Sequence, residues 1–596
     1  MKMTNILNYY KEKLSTARTQ ARKAKRISGI IGISRLILFL IFCILIYRFT
    51  IDLPIFYIIF PIIPFIIIHL YDIKHQTRRE KNDILIKILE AEIASFDGDL
   101  SSFRDGKEYL DTDHEYSFDL ELFGANSLFQ FLNRTATKEG EMALAELLRS
   151  TDREEQEILD IQEANRELAP EIDWRQEILI HGWNKAIGLT PIIKYSKQYQ
   201  TIITNNSEKI ISVVAIVTNI STITLSYLGI IQPLWPIISI MALLLLAGLL
   251  SSRIKKREIF INQTYKSIMG VHKILMLIDE KAPSFKSKKL KSITAPLYKE
   301  ENNFKSQTKE LNKILSAMDQ RNNDVVHFIL NGVYFRDFWI ALRTDNWFTK
   351  NRDNIETWID KLAELDAIAS LSHLTFQYPN SIFPTINLEA SNYKATDLKH
   401  PLIFGRPAVG NDITIQNDKE FHIVTGANMA GKSTYLRTVG VNLILASAGA
   451  SVFAKSFDFR PMALFSSMRN ADQLSKGISF FHAELLRLKK MKDHLQKHKH
   501  SFVLLDEILK GTNSEDKLKG SKIVLKKLIE YPTSGIVATH DLGLKTLEEE
   551  HLKHFYNFCF EFEYHEDKIV FDYRLNKGAT QKMNASYLLK KIFLEE

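Results

Sequence analysis

Cysteine is nearly missing: the 596 residues carry only Cys43 and Cys559. Cys43 sits inside an apolar run, and the pair makes no disulfide framework. This excludes a disulfide-stapled secreted scaffold, points to a reduced, cytosol-facing chain and leaves neither thiol as a catalytic group. There is no low-complexity segment and no internal repeat beyond two similar pairs of apolar runs. A secretory signal peptide fits poorly. The first apolar run is followed at once by a second, and no small-residue cleavage site stands out.

What is present is unevenly placed. The chain is 45% hydrophobic and 25% charged, with a net charge of +8. Its length suits about three or four ordinary domains. A basic balance points to anionic partners: nucleic acid, nucleotide or a lipid surface. Residues 1–26 are polar and basic, in the pattern of an amphipathic helix. Residues 27–47 and 53–71 are apolar runs, each long enough to cross a hydrocarbon layer of ~30 Å. The short link at 48–52 makes them a hairpin. Lys23, Lys25 and Arg26 precede it, and Lys74, Arg78, Arg79 and Lys81 follow. By the positive-inside rule both ends are cytoplasmic. Arg35 interrupts the first run and must snorkel or displace the span. A second apolar pair, 210–230 and 234–250, is joined through Gln232-Pro233 and followed by Arg253, Lys255, Lys256 and Arg257. The expectation is a multi-pass protein of the inner or plasma membrane, in contact with membrane lipid. Its N-terminus, C-terminus and working mass are cytoplasmic. For the first pair the competing reading, a pair of buried core helices, suits runs that are apolar on all faces less well.

Between and after these pairs the pattern is soluble. Residues 84–93 are helical in spacing. Residues 120–148 read as a helix, a turn at Gly140 and a second helix, with Asp152 near a cap. Residues 255–375 read mostly as helix. Lys286, Lys288, Lys289 and Lys291 form a basic cluster, read first as a solvated face, then as a lipid-headgroup contact, then as a nucleic-acid contact. Ile359, Leu362, Leu365, Ile368 and Leu371 recur at helical spacing and read as core.

The chemistry concentrates near the C-terminus. Residues 421–440 run from β-formers through Gly426-Ala427-Asn428-Met429-Ala430-Gly431-Lys432-Ser433-Thr434 into a helical pattern. Strand, glycine-containing loop and helix in that order fit a phosphate-binding loop, G-x-x-x-x-G-K-[ST]. Backbone N–H groups and the helix N-terminus would cradle phosphates. Lys432 would reach the β/γ-phosphates and Ser433 would ligate Mg²⁺. Downstream, the apolar run 502–505 ends in Asp506-Glu507, a buried strand delivering two carboxylates to a sheet edge. Asp506 would hold Mg²⁺, and Glu507 would orient or deprotonate water. Residues 535–539 form another short strand ending at His540, placed to touch the γ-phosphate or the water. Residues 470–484 hold a Gly/Ser loop before a helix. That suggests a nucleotide sandwiched between two subunits, with Ser479 reaching across in trans.

Together these residues resemble the MutS family of ATPases, within the ABC class. Residues 425–440 look like its Walker A segment. Asn470 onward, with Gly477, Ser479, Phe481 and Glu484, looks like its signature, Asp506-Glu507 with the loop to Asn513 like its Walker B, and His540 like its switch histidine. Residues 397–402 with 411–415 resemble the entry to the ATPase domain, and 127–148 the start of the helical core. The resemblance implies an α/β P-loop NTPase domain following an α-helical core/lever domain, here joined to two transmembrane hairpins. The division is a basic segment and hairpin over 1–100, helical core over 101–205, a second hairpin over 206–252, lever and core over 253–375, and ATPase over 376–596. It implies Mg²⁺-dependent ATP hydrolysis by a homodimer, with mismatched, branched or damaged DNA as ligand. The departures are specific. Ala427 and Ala430 replace the family's Pro and Gly, and Leu509-Lys510 replaces Gly-Arg. Apolar spans stand where a mismatch-reading domain would, and no nuclease module is expected after His540. Two rival readings are an ABC-type transport ATPase and a membrane-bound nucleotide switch that organises protein partners. The signature begins too soon after the phosphate loop for the helical subdomain usual in transporters.

Overall fold

The computed structural model describes residues 3–49, 62–183, 186–203, 205–299, 303–322, 324–388, 392–404, 407–427, 429–469, 480–565 and 568–580. Asn428, the signature residues Gly477 and Ser479, and much of the 53–71 run lie outside the described residues. The chain divides into two compact units. One comprises Met1–Arg134, Ala145–Pro170 and Leu371–Glu596, the other Thr135–Leu144 and Glu171–Ser370.

The first unit begins with helix α1 (Met3–Phe49), which carries the basic segment and the first apolar run without a break. Helix α2 (Ile62–Ser95) packs along it. Ile6, Tyr10, Leu14 and Ala17, three or four residues apart, bury one stripe of α1 against Leu89, as amphipathic spacing requires. The apolar outer part of α1 leaves Ile30, Ile33, Leu36, Phe39 and Leu40 exposed. Arg35 turns inward to Asp72 of α2 at 2.9 Å. Ser28 and Gln76 donate to the same carboxylate, at 3.2 and 2.8 Å.

In the second unit, helix α3 (Lys138–Arg149) contains Gly140, so the turn expected at that residue is corrected. The turn lies earlier. Asp366 accepts from the backbone of Ala136 and Thr137 and from the Thr137 hydroxyl, which caps the helix. Gly140 is there because a Cβ would collide with Asp366. That partner is far away in sequence, so local turn chemistry misread it. Helices α4 (Asn206–Tyr227) and α5 (Leu234–Lys281) run antiparallel. Glu208 pairs with Arg253 at one end, and Asn219 accepts from Ser239 further along. Helices α6 (Asp324–Tyr334) and α7 (Arg336–Asn351) pack on them. Phe335, Phe338 and Ala341 share a buried cluster with Ile216, Leu243, Ala247 and Leu250. Helix α8 (Ile355–Gln377) buries Ile359, Leu362, Leu365, Ile368 and Leu371, as their spacing predicts. Among the described residues, three helices are long and apolar enough to cross a membrane: Asn5–Ile44, Asn206–Tyr227 and Leu234–Ile254.

The rest of the first unit is α/β. Strands β1 (Thr385–Ile386), β2 (Tyr393–Leu398), β3 (Asn411–Ile415) and β5 (Ser456–Phe459) form a sheet in the order β1-β5-β2-β3. A six-stranded sheet follows the order β10-β9-β4-β8-β7-β6. It is built of β4 (Phe421–Gly426), β6 (Ala463–Ser467), β7 (Ser501–Asp506), β8 (Thr533–Thr539), β9 (Phe555–His565) and β10 (Lys568–Lys577). All its pairings are parallel except β9 with β10. β4, β7 and β8 are near-continuous apolar runs because helices cover both faces of a parallel sheet. Phe421, Ile423, Val503, Leu505 and Val537 form one cluster with Met491 and Leu495 of helix α10 (Phe480–Lys497), and with Leu525 and Leu528 of helix α11 (Ser514–Leu528). Each such buried side chain contributes about 1.5–3 kcal/mol. Helix α9 (Lys432–Ser447) follows β4 after the loop 427–431 and is almost wholly buried.

Candidate nucleotide site

Register brings the chemistry to one edge. Val503 pairs with Gly535 and Asp506 with Ala538, while Thr425 pairs with Thr539. The C-terminal ends of β4, β8 and β7 are therefore level, with β8 between the other two. Ligands bind at this edge of a parallel sheet.

The loop after β4 needs unusual backbone. Gly426 has φ +152° and Gly431 +104°, and Met429 is held at +70°. A Cβ on Gly426 would press on Phe560 O at 2.8 Å, so the loop closes onto β9 as well. Lys432 begins α9 and folds its Nζ back over the loop, donating to Gly426 O at 2.7 Å and Ala427 O at 3.0 Å. Burial lowers its pKa against the opposing pull of Glu507 and Asp506. Ser433 Oγ donates to Asp506 Oδ2 at 2.5 Å, joining the loop to the end of β7. Burial raises the Asp506 pKa.

Glu507 is held at φ +56°, a conformation that costs a non-glycine residue on the order of 1–3 kcal/mol. Its N–H donates to Ala538 O at 2.9 Å. Its carboxylate lies 2.9 Å from His540 Nδ1 and 3.8 Å from Lys510 Nζ. Burial raises its pKa, but the hydrogen bond and charge of His540, with Lys510 and Lys517, outweigh this and leave it lowered. Two adjacent carboxylates are thus pushed apart, Asp506 upward and Glu507 downward. The next turn is tied to α10: Glu484 accepts from Lys510 N and Gly511 N, both at 3.0 Å. Leu509, where the family carries Gly, sits at φ +59° and is buried.

A cleft of about 400 Å³ joins these groups. It is lined by Ala427, Met429, Gly431, Lys432, Ser433 and Thr434 on one side and by Asp506, Glu507 and Lys510 on another. Asn428 and Ser479 lie outside the described residues, and His540 stands behind Glu507 rather than in the lining. His400 and Tyr573 also line the cleft and were not singled out by the sequence reading. Burial, with Arg437 nearby, lowers His400 to about 4, so it stays neutral at ordinary pH. Its signal was the 397–402 stretch. Tyr573 comes from the antiparallel edge strand and lies 3.2 Å from where a Gly431 Cβ would be. No local motif marks it.

Among the described residues no group of three His, Cys, Asp or Glu could hold a metal. The donors at this edge are a hydroxyl and a carboxylate already in contact, which suits a hard cation such as Mg²⁺ that takes few protein ligands and relies on substrate phosphates. A glycine-bent loop, a buried lysine at a helix start and an acidic pair one strand removed define a P-loop nucleotide-binding domain.

The comparisons narrow that class. Residues 422–591 match the family model of MutS domain V. The DNA mismatch repair protein MutS of Ehrlichia ruminantium (strain Welgevonden) is 32% identical over 244 residues, 40% of this chain and 30% of the relative. MutS of Aquifex pyrophilus is 32% identical over 39% of this chain and 27% of its own length. The DNA mismatch repair protein MSH3 of Vanderwaltozyma polyspora is 32% identical over 37% of this chain and 22% of its own length. The C-terminal part of the chain is thus similar to MutS domain V. The match spans under a third of the length of these relatives.

Proposed function

We propose that the chain is a membrane-anchored, MutS-like ATPase that acts on DNA as a homodimer. The observation carrying the ATPase reading is the level edge at which Lys432 and Ser433 meet Asp506 and Glu507, with His540 behind. Lys432, the loop backbone and Thr434 hold the triphosphate of ATP. Ser433 and Asp506 hold Mg²⁺, which neutralises charge on the phosphates when bound. Glu507 orients the attacking water and accepts its proton. His540 is a positioning residue, keeping Glu507 ionised and aimed. Ser479 completes the partner's site in trans. Three long apolar helices support anchoring, and the basic residues flanking the apolar runs are the ground for placing both termini and the ATPase domain on the cytoplasmic side. DNA is the ligand suggested by the relatives' names, and the net charge of +8 agrees with an anionic partner.

Salt-dependent binding of branched, mismatched and homoduplex DNA to the detergent-solubilised protein, with and without ATP, tests the ligand. We expect a steep negative log–log salt slope and a nucleotide-dependent affinity. A flat slope, or no binding, removes DNA from the account and leaves the ATPase standing.

A further inference from the structure

The segment 324–339 falls within the stretch 253–375 expected to be helical lever and core. Its surface says otherwise. Helix α6 leaves Phe328 60% exposed and Ile329 53% exposed, with Val333 and Tyr334 beside them and Trp339 following on α7. These continue the apolar surface of α4 and α5, where Val214, Val217, Met241 and Leu245 are also exposed. Gly332 seats α6 directly on α5, its missing Cβ facing Ile240 and Leu244.

We infer that α6 and the start of α7 form a re-entrant element embedded in the same bilayer as the α4–α5 hairpin, covered by lipid acyl chains. The inference rests on the proposed membrane anchoring of that hairpin and adds a third element to it.

The argument is in the backbone. A helix that ends inside hydrocarbon must have its terminal carbonyls satisfied by protein, since no water is present to do it. Asn219 of α4, fully buried, does this: its Nδ2 donates to Gly332 O at 3.0 Å and to Val333 O at 2.8 Å. Its Oδ1 accepts from Ser239 of α5 at 2.6 Å. The break itself is closed the same way. Phe335 turns the chain at φ +55° while buried, and its N–H donates to Asn331 O at 3.1 Å. Asn331 Oδ1 accepts from Asp337 N at 2.9 Å. The Asp337 carboxylate, completely buried, pairs with Arg321 Nε at 3.0 Å, and Arg321 also donates to Ser251. These internal partners leave the helix end independent of water.

The depth agrees. At ~1.5 Å per residue, Asn219 stands roughly 20 Å up the helix that starts at Asn206. Helix α6, with 11 residues, is ~16 Å long, about half of a ~30 Å hydrocarbon core. It runs from Arg321, beside Ser251 near the basic end of α5, to the level of Ile240 and Asn219. Helix α7 then returns, and Asp345 accepts from Ile202 N and Ile203 N near the start of α4.

The test uses the full chain in vesicles, with Cys43→Ser to clear the exposed thiol and Cys559 left buried. A fluorophore is placed at Phe328→Cys or Ile329→Cys, with Leu245→Cys reporting the hairpin and Lys519→Cys reporting water. The inference expects Phe328 and Ile329 labels to be blue-shifted, quenched by bromolipid and untouched by iodide, matching Leu245. If Leu245 is lipid-quenched but both α6 labels are iodide-quenched, the inference fails and the hairpin anchor survives. If α6 labels are shielded from both quenchers, protein covers the surface and the inference also fails. If Leu245 itself is reached by iodide, the membrane reading of the hairpin falls first and takes the inference with it. Labelling that disturbs α6 would show as disagreement between Phe328 and Ile329, and concordance is required for support.

Discussion

Replacing His540 with alanine should weaken catalysis without weakening binding. His540 Nδ1 lies 2.9 Å from Glu507 Oε1, and the cleft lining does not include it. A hydrogen bond to a charged group is worth about 1.5–3 kcal/mol. The histidine side chain is 47% exposed, so solvent screening brings the working figure to ~1 kcal/mol. That corresponds to a kcat lowered roughly 5- to 10-fold, against the roughly 10²- to 10⁴-fold expected for Glu507→Gln, which removes the base itself. KM for ATP should not change. The pH dependence carries a sharper signature. Glu507 must be ionised to act, and its pKa is held down by His540, so the wild-type acid limb of kcat lies below the ordinary carboxylate range. Without His540 the main influence lowering that pKa is lost and the limb moves to higher pH. The double variant should be no slower than Glu507→Gln alone, because His540 acts only through Glu507. Steady-state turnover from acid to neutral pH measures all three. A raised KM with unchanged kcat, an unmoved acid limb or additive losses would refute the positioning role.

Other perturbations test the scaffold. Glu92 is fully buried; burial raises its pKa, but Arg134 and His373 outweigh this and hold it at about 2 rather than 4.5. Its folded pKa is depressed, so its stabilisation is present above about 4.5 and lost as pH falls toward about 2. That amounts to ~3 kcal/mol, and Glu92→Gln should flatten the acid limb of thermal stability. Gly535→Ala would drive a Cβ onto Val503 O of the neighbouring strand and should destabilise the six-stranded sheet by ~3 kcal/mol or more, seen as a lowered midpoint of thermal unfolding. Asp72→Ala strands Arg35 against α2 and should cost ~3–5 kcal/mol, while Arg35→Leu with Asp72→Leu should recover most of it; a double variant as unstable as the single one would show the pair is not the cause. Mixing Lys432→Ala with Ser479→Ala protein should restore turnover that neither has alone, because one of the two sites in a mixed dimer is then intact; no recovery would argue against completion in trans.

The nucleotide edge was legible because its residues are local motifs. Gly431-Lys432-Ser433 and Asp506-Glu507 each announce a strand end, and a parallel sheet places such ends together whatever the loops between them do. Ile359 to Leu371 was legible through spacing alone. Four features were not. Gly140 reads as a turn because its reason is Asp366, more than two hundred residues away. Arg35 reads as an obstacle to a span until Asp72 on the next helix is seen beside it. Helix α6 reads as soluble because its apolar run is too short to span a bilayer, and the partners that finish its backbone, Asn219 and Ser239, belong to other helices. Tyr573 joins the cleft only because β10 folds back antiparallel on β9. In each case the missing information was a long-range contact.

The central claim is that Lys432, Ser433, Asp506 and Glu507 form a working ATPase site in a membrane-held chain. The most direct measurement is phosphate release from ATP by the full-length protein in vesicles, with and without Mg²⁺, beside Glu507→Gln. The account predicts Mg²⁺-dependent turnover in the wild type, and in the variant ATP binding retained with turnover lost. Wild-type protein that binds ATP and releases no phosphate, or Glu507→Gln protein that turns over as fast as wild type, would contradict it.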